Sequence, residues 1–262
     1  MNILYLGHYR ENTDLGNSCK RFIKGLTQKH ENVAIRPIYS FHKNIDRNLS
    51  ELYEQSETKH FNSYDCVIQH TTPNLLSYNK NYKYNIGVVD IYTQNINQSC
   101  IGNYLNLMDQ IYVRSNYAKN ALNNIVRPNK IKVIPEPFEA IDIENKEKIE
   151  DFIFIAKGDL KNRYNLKKII TAFLWEYMYD SKIKLVIYIQ DNPEKISNMI
   201  KNIYKRLRFI ADDDKIILLR NDKNDINENN LIHLADCAIN IDTADPSGIF
   251  TIKNLLCNNL VI

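Results

Sequence analysis

The chain contains no Cys-x-x-Cys pair. Its five cysteines (Cys19, Cys66, Cys100, Cys237, Cys257) are odd in number and far apart, which argues against a disulfide framework or a cysteine-ligated zinc module. They read as reduced, partly buried thiols of a cytosolic protein. No apolar run approaches the roughly 18 residues that span a bilayer. The opening Met1-Asn-Ile-Leu-Tyr-Leu-Gly7 is an apolar strand pattern with no charged leader and no cleavage site, so no secretory signal is expected. Charge of one sign is scarce too: the net charge is +3 over 262 residues, with the lysines spread along the chain. That is too little for a nucleic-acid partner. His30, His42, His60 and His233 lie apart from one another and from paired carboxylates, so no metal site is visible. The Gly-x-Gly-x-x-Gly spacing and the Walker lysine are both missing, which excludes a dinucleotide fingerprint and a P-loop.

What is present is alternation. Hydrophobic residues make up 44% of the chain, enough for sizeable cores, and strand and helix signals follow one another as in a parallel α/β sheet. Strands are expected at 2–7, 33–39, 64–69, 84–90, 108–115 and 130–134. Helices are expected after Gly16, capped by Asn17 or Ser18, and over 116–125. The polar stretch up to His60 has room for one more. Residues 139–151 are charged and without apolar period, a natural boundary. The pattern then restarts with strands at 152–157, 183–190, 215–219 and 238–241 and helices at 166–179, 193–209 and 227–234. Two α/β halves are therefore expected, 1–138 and 152–262, joined by a linker over 139–151. Trp175 and the tyrosines of Trp175-Glu-Tyr-Met-Tyr179 lie at helical spacing and read as packing.

Three segments can carry chemistry. The first loop, His8-Tyr-Arg10 to Gly16, runs from a strand into a helix, where backbone N–H groups can meet an anion; a plain strand-to-helix turn is the competing reading. The segment Lys157-Gly-Asp-Leu-Lys161-Asn-Arg163-Tyr-Asn165 places cations between a strand end and a helix start. Positive charge is needed there if negative charge builds on a departing phosphate; a solvated basic loop is the alternative. The third is Asp245-Pro-Ser-Gly248-Ile249-Phe-Thr-Ile-Lys253, an acid and a glycine between a buried strand and an apolar helix. In an open parallel sheet that is the crevice where ligands bind. His70, at the end of the third strand, and Asp90, at the end of the fourth, sit at the matching edge of the first half. A free imidazole there would titrate near neutrality, although a strand-end histidine is more often a structural hydrogen-bonding residue.

Taken in order, these pieces resemble the retaining, two-domain (GT-B) glycosyltransferases of the "group 1" type. Asp245 matches the first acid of that family's donor motif, Gly248 the turn glycine, and Leu260-Val261-Ile262 the buried strand beyond. Arg163, Asn165 and Ala172-Phe173 match its "Arg-Lys-Asn-Leu…Ala-Phe" segment, and Met108-Asp-Gln-Ile-Tyr-Val-Arg-Ser115 its "Met-Asp-x-Ile-x-Val-x-Ser". Two positions depart: Lys253 stands where the family has a second glutamate, and Tyr164 where it has a lysine. The resemblance implies transfer of a sugar from a nucleotide-sugar donor to a glycan, lipid or protein acceptor with retention of configuration. It implies no metal and no further cofactor. Asp245 and His70 would serve at the reacting centre, Lys157, Arg163, Gly248, Ile249 and Lys253 would hold the donor, and Arg10 and Gly16 would form the phosphate- and acceptor-facing loop. The stop at Ile262 leads one to expect an incomplete second domain. With Lys253 and Tyr164, it also keeps open a degenerate relative that binds nucleotide or glycan without turnover; a periplasmic-binding-like or epimerase-like twin fold is a third reading. Lys201, Lys205, Arg206 and Arg208 offer a basic helix face to a membrane surface, though a solvated face is the simpler explanation.

Overall fold

A computed structural model describes residues 1–262 except 40–44, 47–48, 94–95, 97, 139–149, 159, 161–164, 190–191, 213, 221–227 and 243–247. The chain divides into two compact units, Met1–Glu139 and Ala140–Ile262; the linker expected over 139–151 falls mostly on residues outside the described set.

In the first unit the elements run β1 (Ile3–Gly7), α1 (Asp14–Lys29), β2 (Val33–Pro37), α2 (Glu51–Thr58), β3 (Cys66–His70), β4 (Tyr84–Val88), α3 (Gln98–Leu107), β5 (Gln110–Val113), α4 (Asn116–Leu122) and β6 (Ile131–Val133). The strands form one sheet in the order β2-β1-β3-β4-β5-β6, and every pairing is parallel. Helices cover both faces of such a sheet, which is why β3 is buried throughout and reads as a continuous run rather than an alternating one. The chain reverses direction across the sheet between β1 and β3, and the register sets Gly7 beside His70 at that point. This is the topological switch, where a parallel sheet opens a crevice beyond its carboxyl ends.

α1 begins two residues before Gly16, not after it. Its cap is Thr13, whose hydroxyl accepts the Gly16 N–H at 3.0 Å. The expected Asn17 or Ser18 cap is not used because the helix starts upstream of both and encloses them in its first turns. Gly16 is there for contact: a Cβ on it would lie 2.0 Å from the Glu11 carbonyl oxygen.

The second unit runs β7 (Phe152–Gly158), α5 (Leu166–Tyr177), β8 (Ile183–Ile189), α6 (Pro193–Leu207), β9 (Ile216–Arg220), α7 (Glu228–Leu234), β10 (Cys237–Ile239), α8 (Ile249–Leu256) and β11 (Leu260–Val261). Its parallel sheet has the order β11-β10-β7-β8-β9, so the switch lies between β7 and β10. Alternate residues of β7 serve opposite faces. Phe154 and Ala156 pack with Ile169, Ile170 and Phe173 of α5 and Ile196 and Ile200 of α6, while Ile155 packs with Leu231 and Ile232 of α7 and Phe250 of α8. The i, i+3, i+4, i+7, i+8 spacing of Leu166, Ile169, Ile170, Phe173 and Leu174 lays α5 along the sheet. Truncating one of the fully buried aliphatic side chains here to alanine costs about 2–5 kcal/mol. Trp175 departs from its expected packing role: it is 71% exposed and Tyr179 is 90% exposed, and of that group Tyr177 packs on the core. Both sheets are parallel and helix-covered, so the expected α/β class with two Rossmann-like domains holds.

Gly16→Ala gives the loop-to-helix packing a direct check. An alanine inside an exposed helix gains up to about 1 kcal/mol over glycine, whereas here the new methyl meets backbone that cannot rotate away. Urea unfolding should show a loss of about 1–3 kcal/mol; a gain would mean that the Glu11 carbonyl does not sit over this helix.

Candidate functional site

At the switch point of the first sheet the strand ends carry polar side chains into a dry environment, and their hydrogen bonds determine one another. His70 is fully buried. Arg114, one residue past β5, donates from Nη2 to His70 Nε2 at 2.7 Å. Arginine has no acceptor, so Nε2 must accept and the imidazole is neutral with its proton on Nδ1. That proton points at the Tyr5 hydroxyl, 2.5 Å away. Burial, then the Arg114 charge, pushes the His70 pKa well below the usual value. The expectation of a free imidazole titrating near neutrality is therefore corrected: both ring nitrogens are occupied inside the core.

Arg114 organises the rest. Its Nη2 also donates to Ser18 Oγ at 2.7 Å and its Nε to Asp90 Oδ1 at 3.0 Å. Its guanidinium lies 4.5 Å from the centre of the Phe22 ring. Nη1 is 3.5 Å from Glu136 Oε2, too far for a hydrogen bond, and Arg21 donates to Glu136 from the other side. Burial raises the pKa of Asp90, with Arg114 pulling against it. Beside this network His8 Nε2 meets Thr71 Oγ1 at 2.8 Å.

Arg10 is turned to another purpose than the one expected of it. Its guanidinium grips Glu57 of α2 in a two-pronged pair, Nε to Oε1 at 2.7 Å and Nη2 to Oε2 at 2.6 Å, and the Tyr9 hydroxyl donates to the same carboxylate. The fork holds the Glu57 pKa below the usual carboxylate value. Arg10 thus clamps the first loop onto α2, and Gly16 packs the loop's other end.

The carboxyl edge of the second sheet is built differently. Lys157 is the penultimate residue of β7, and its ammonium lies 3.6 Å from Glu228 Oε2. Glu228 opens α7. Its Oε1 is 3.2 Å from the ammonium of Lys253 on α8, which also donates to Asn229 Oδ1 at 2.9 Å. Burial raises the Glu228 pKa but the two lysines outweigh it, so the carboxylate is held below its usual value and is ionised at neutral pH. Gly248 caps α8 in the left-handed region (φ 62°), and a Cβ there would meet nothing within 4 Å among the described residues. Conformation, not crowding, demands this glycine. The N–H groups of Ile249 and Phe250 then begin a helix whose first turn has no intrahelical acceptors to offer them. The loops are tied together: Asn165 donates to the Ile241 carbonyl at 2.9 Å and Asn240 to Thr251 Oγ1 at 2.7 Å.

Of the residues singled out in the sequence, Lys157 and Lys253 converge on Glu228 at this second edge, and Gly248 and Ile249 start the helix that carries Lys253. Asp245, Arg163 and Tyr164 lie outside the described residues. Sequence reasoning missed Glu228, which joins Lys157 and Lys253 but is remote from both along the chain. It also missed Arg114, whose only signal was a cation placed between a buried strand and the capping Ser115. Among the described residues no group of three or more His, Cys, Asp and Glu side chains could hold a metal, and no helix is long and apolar enough to cross a membrane.

No protein-family model and no curated protein matches the chain in sequence. Solved structures do match it in shape. The Anabaena protein Alr3699/HepE, in complex with UDP and glucose, is 14% identical, with all of this chain and 80% of HepE aligned at a TM-score of 0.67. WaaG, a glycosyltransferase involved in lipopolysaccharide biosynthesis, is 11% identical, covering 99% of this chain and 80% of WaaG at a TM-score of 0.66. A trehalose-6-phosphate synthase, solved with bisubstrate glycomimetics that bear on glycosyltransfer with retention, is 9% identical, covering 100% and 83% at a TM-score of 0.65. At such identities the likeness is one of fold: the chain is similar to GT-B glycosyltransferases in having two Rossmann-like domains with parallel sheets.

The buried His70 makes stability depend on pH. Its folded pKa lies below the unfolded value, so as pH falls through roughly 6.5 the unfolded chain takes up a proton that the folded chain refuses. Stability is full above that pH and declines below it, with His70 contributing up to roughly 1.4 kcal/mol per pH unit. Urea unfolding at pH 7, 6 and 5 should show this decline, and His70→Gln, which keeps an acceptor for Arg114, should flatten it. An equally steep decline in the variant would place the titrating group elsewhere.

Proposed function

We propose that the chain is a glycosyltransferase that moves a sugar from a nucleotide-sugar donor to a hydroxyl of a glycan, lipid or protein acceptor, with retention of configuration. The observation that carries this reading is the second sheet's switch point. There the Lys157 ammonium, at the end of β7, and the first turn of α8, entered through Gly248 after the neighbouring β10, lie at one strand edge, in a fold shared with structures bound to UDP and glucose. When the bond between the anomeric carbon and the phosphate breaks, negative charge collects on the departing diphosphate. Fixed N–H dipoles and an ammonium stabilise that charge without reorganising at the moment of reaction. The acceptor oxygen bonds to the anomeric carbon, and its proton leaves with the diphosphate.

Within this reading Lys157 and Arg163 face the diphosphate, Ile249 and the following amide add their N–H groups, and Asp245 contacts the donor sugar. Lys253 acts through Glu228. His70 is a positioning residue that keeps Arg114 aligned along the first sheet's edge rather than an acid or base. No metal or cofactor is assigned. Where the acceptor is a lipid, the exposed Lys201, Lys205, Arg206 and Arg208 of the α6 region are the surface assigned to peripheral contact with its membrane.

Isothermal titration with UDP, GDP, ADP and their hexose derivatives tests the reading. One nucleotide should bind in the micromolar range, and Lys157→Ala and Arg163→Ala should each weaken it roughly 10- to 100-fold, the worth of a charge-assisted hydrogen bond. A folded chain that binds none of them refutes the donor site and favours a degenerate relative. Binding that neither substitution weakens puts the site elsewhere.

A further inference from the structure

Among the described residues the three most exposed large hydrophobic side chains are Tyr179 at 90%, Ile210 at 89% and Trp175 at 71%. All three belong to one place, the ends of α5 and α6. Trp175 and Tyr179 stand four residues apart, on the same side of the helix end. Tyr179 meets Phe209 edge to face with ring centres 5.8 Å apart, and Ile210 follows Phe209 directly. The turn that presents them is fixed. Arg208 caps α6 in the left-handed region (φ 59°), its N–H donates to the carbonyls of Tyr204 and Lys205, and the Phe209 N–H donates to Tyr204. A left-handed cap is ordinarily a glycine position; with an arginine there, the turn still lays Phe209 against Tyr179 and leaves Ile210 in water. Because α5 and α6 connect parallel strands, both end at the amino edge of the sheet. That is the far end from Lys157 and Gly248, roughly 23 Å away along the seven residues of β8.

We propose that this face joins two copies of the chain about a two-fold axis, with Trp175, Tyr179 and Ile210 at the centre of the contact. Area is the first argument. At roughly 200 Å² per aromatic side chain, Trp175 and Tyr179 alone open on the order of 300 Å². That is more than a third of the roughly 800 Å² that each partner of a stable interface buries, before Ile210 and the rim are added. Aromatic rings at the centre and charged groups around them are also how such interfaces are built. Charge decides the partner. Glu176 and Asp180 close α5, while Lys205, Arg206 and Arg208 close α6, and all five are exposed. Asp212 and Asp214 follow in the loop to β9, also exposed. An anionic bilayer gains from the α6 end but is opposed by these four carboxylates. A second copy turned about a two-fold axis sets its basic helix end on this acidic one and its acidic end on this basic one. The position agrees: a copy seated at the amino edge leaves the carboxyl edge, with Lys157 and α8, open to a donor.

Sedimentation velocity of the full chain across the micromolar range tests this. Wild type should pass from monomer to dimer, and the emission of Trp175, the chain's single tryptophan, should move to shorter wavelength over the same concentrations. Ile210→Glu and Trp175→Ala should each raise the dimer dissociation constant roughly 30-fold or more, the effect of losing a central interface side chain. Both positions are exposed, so circular dichroism should be unchanged. Charge reversal reads the two-fold arrangement itself. Glu176→Lys and Arg206→Glu should each weaken self-association, and an equimolar mixture of the two variants should recover a heterodimer, because both acid–base contacts return in the mixed pair. A wild type that stays monomeric throughout overturns the proposal; if its Trp175 emission then shifts on vesicles of phosphatidylserine and phosphatidylcholine, the face belongs to a membrane instead. A dimer that survives Ile210→Glu, Trp175→Ala and both charge reversals lies on another surface and overturns it equally. Neither failure touches the donor site, which lies at the opposite edge of the sheet.

Discussion

A parallel sheet covered by helices on both faces leaves polar side chains little room except beyond its carboxyl ends, and the rest of this protein's organisation depends on that constraint. The strands β1, β3 and β8 are buried along most of their lengths, and the middles of all four central strands, β7 included, are built mainly of apolar residues. The carboxyl edge of each sheet gathers polar groups from several strand ends: His70, Thr71, Asp90 and Arg114 in the first unit, Lys157, Asn240 and the Gly248 turn in the second. The same topology that buries the apolar surface, at roughly 25 cal/mol per Å², therefore also decides where a ligand can be met.

The two edges use charge in opposite ways. In the first unit Arg114 is nearly enclosed and is surrounded by Ser18, His70, Asp90 and Glu136. Removing a charge from water costs several kcal/mol, and close partners about offset that. Such an arrangement adds little net stability but specifies one geometry for strand ends that come from distant parts of the chain. In the second unit the Lys157–Glu228–Lys253 group remains partly exposed, with side chains 17–23% accessible. These charges keep contact with solvent, unlike Arg114.

Fold class was legible because it follows from periodicity. The apolar runs at 2–7, 64–69 and 152–157 are short and bounded by turn and polar residues, as covered strands are, and the i, i+3, i+4 pattern of Ile169, Ile170 and Phe173 marks one helix face. The helix Gln98–Leu107 was not anticipated, because Asn and Gln dilute its apolar pattern. The site was half legible. Lys157 and Gly248 announce themselves through local grammar, a cation at a strand end and a glycine before a helix. The roles of Arg10 and His70 depend on tertiary partners, Glu57 for the one and Arg114 for the other, and no local pattern reports these. Glu228 is the clearest case: a charged residue at a helix start is ordinary by itself, and it acquires meaning from two lysines that only the fold brings to it.

The central claim is that the nucleotide is held at the carboxyl edge of the second sheet and not at that of the first. Hydrogen–deuterium exchange on the full chain, with and without saturating nucleoside diphosphate, reads this out peptide by peptide. The account predicts slowed exchange in peptides covering 153–158, 228–232 and 248–254, with 4–18 and 66–72 unchanged by the bare diphosphate. Protection confined to the first unit's peptides would contradict it.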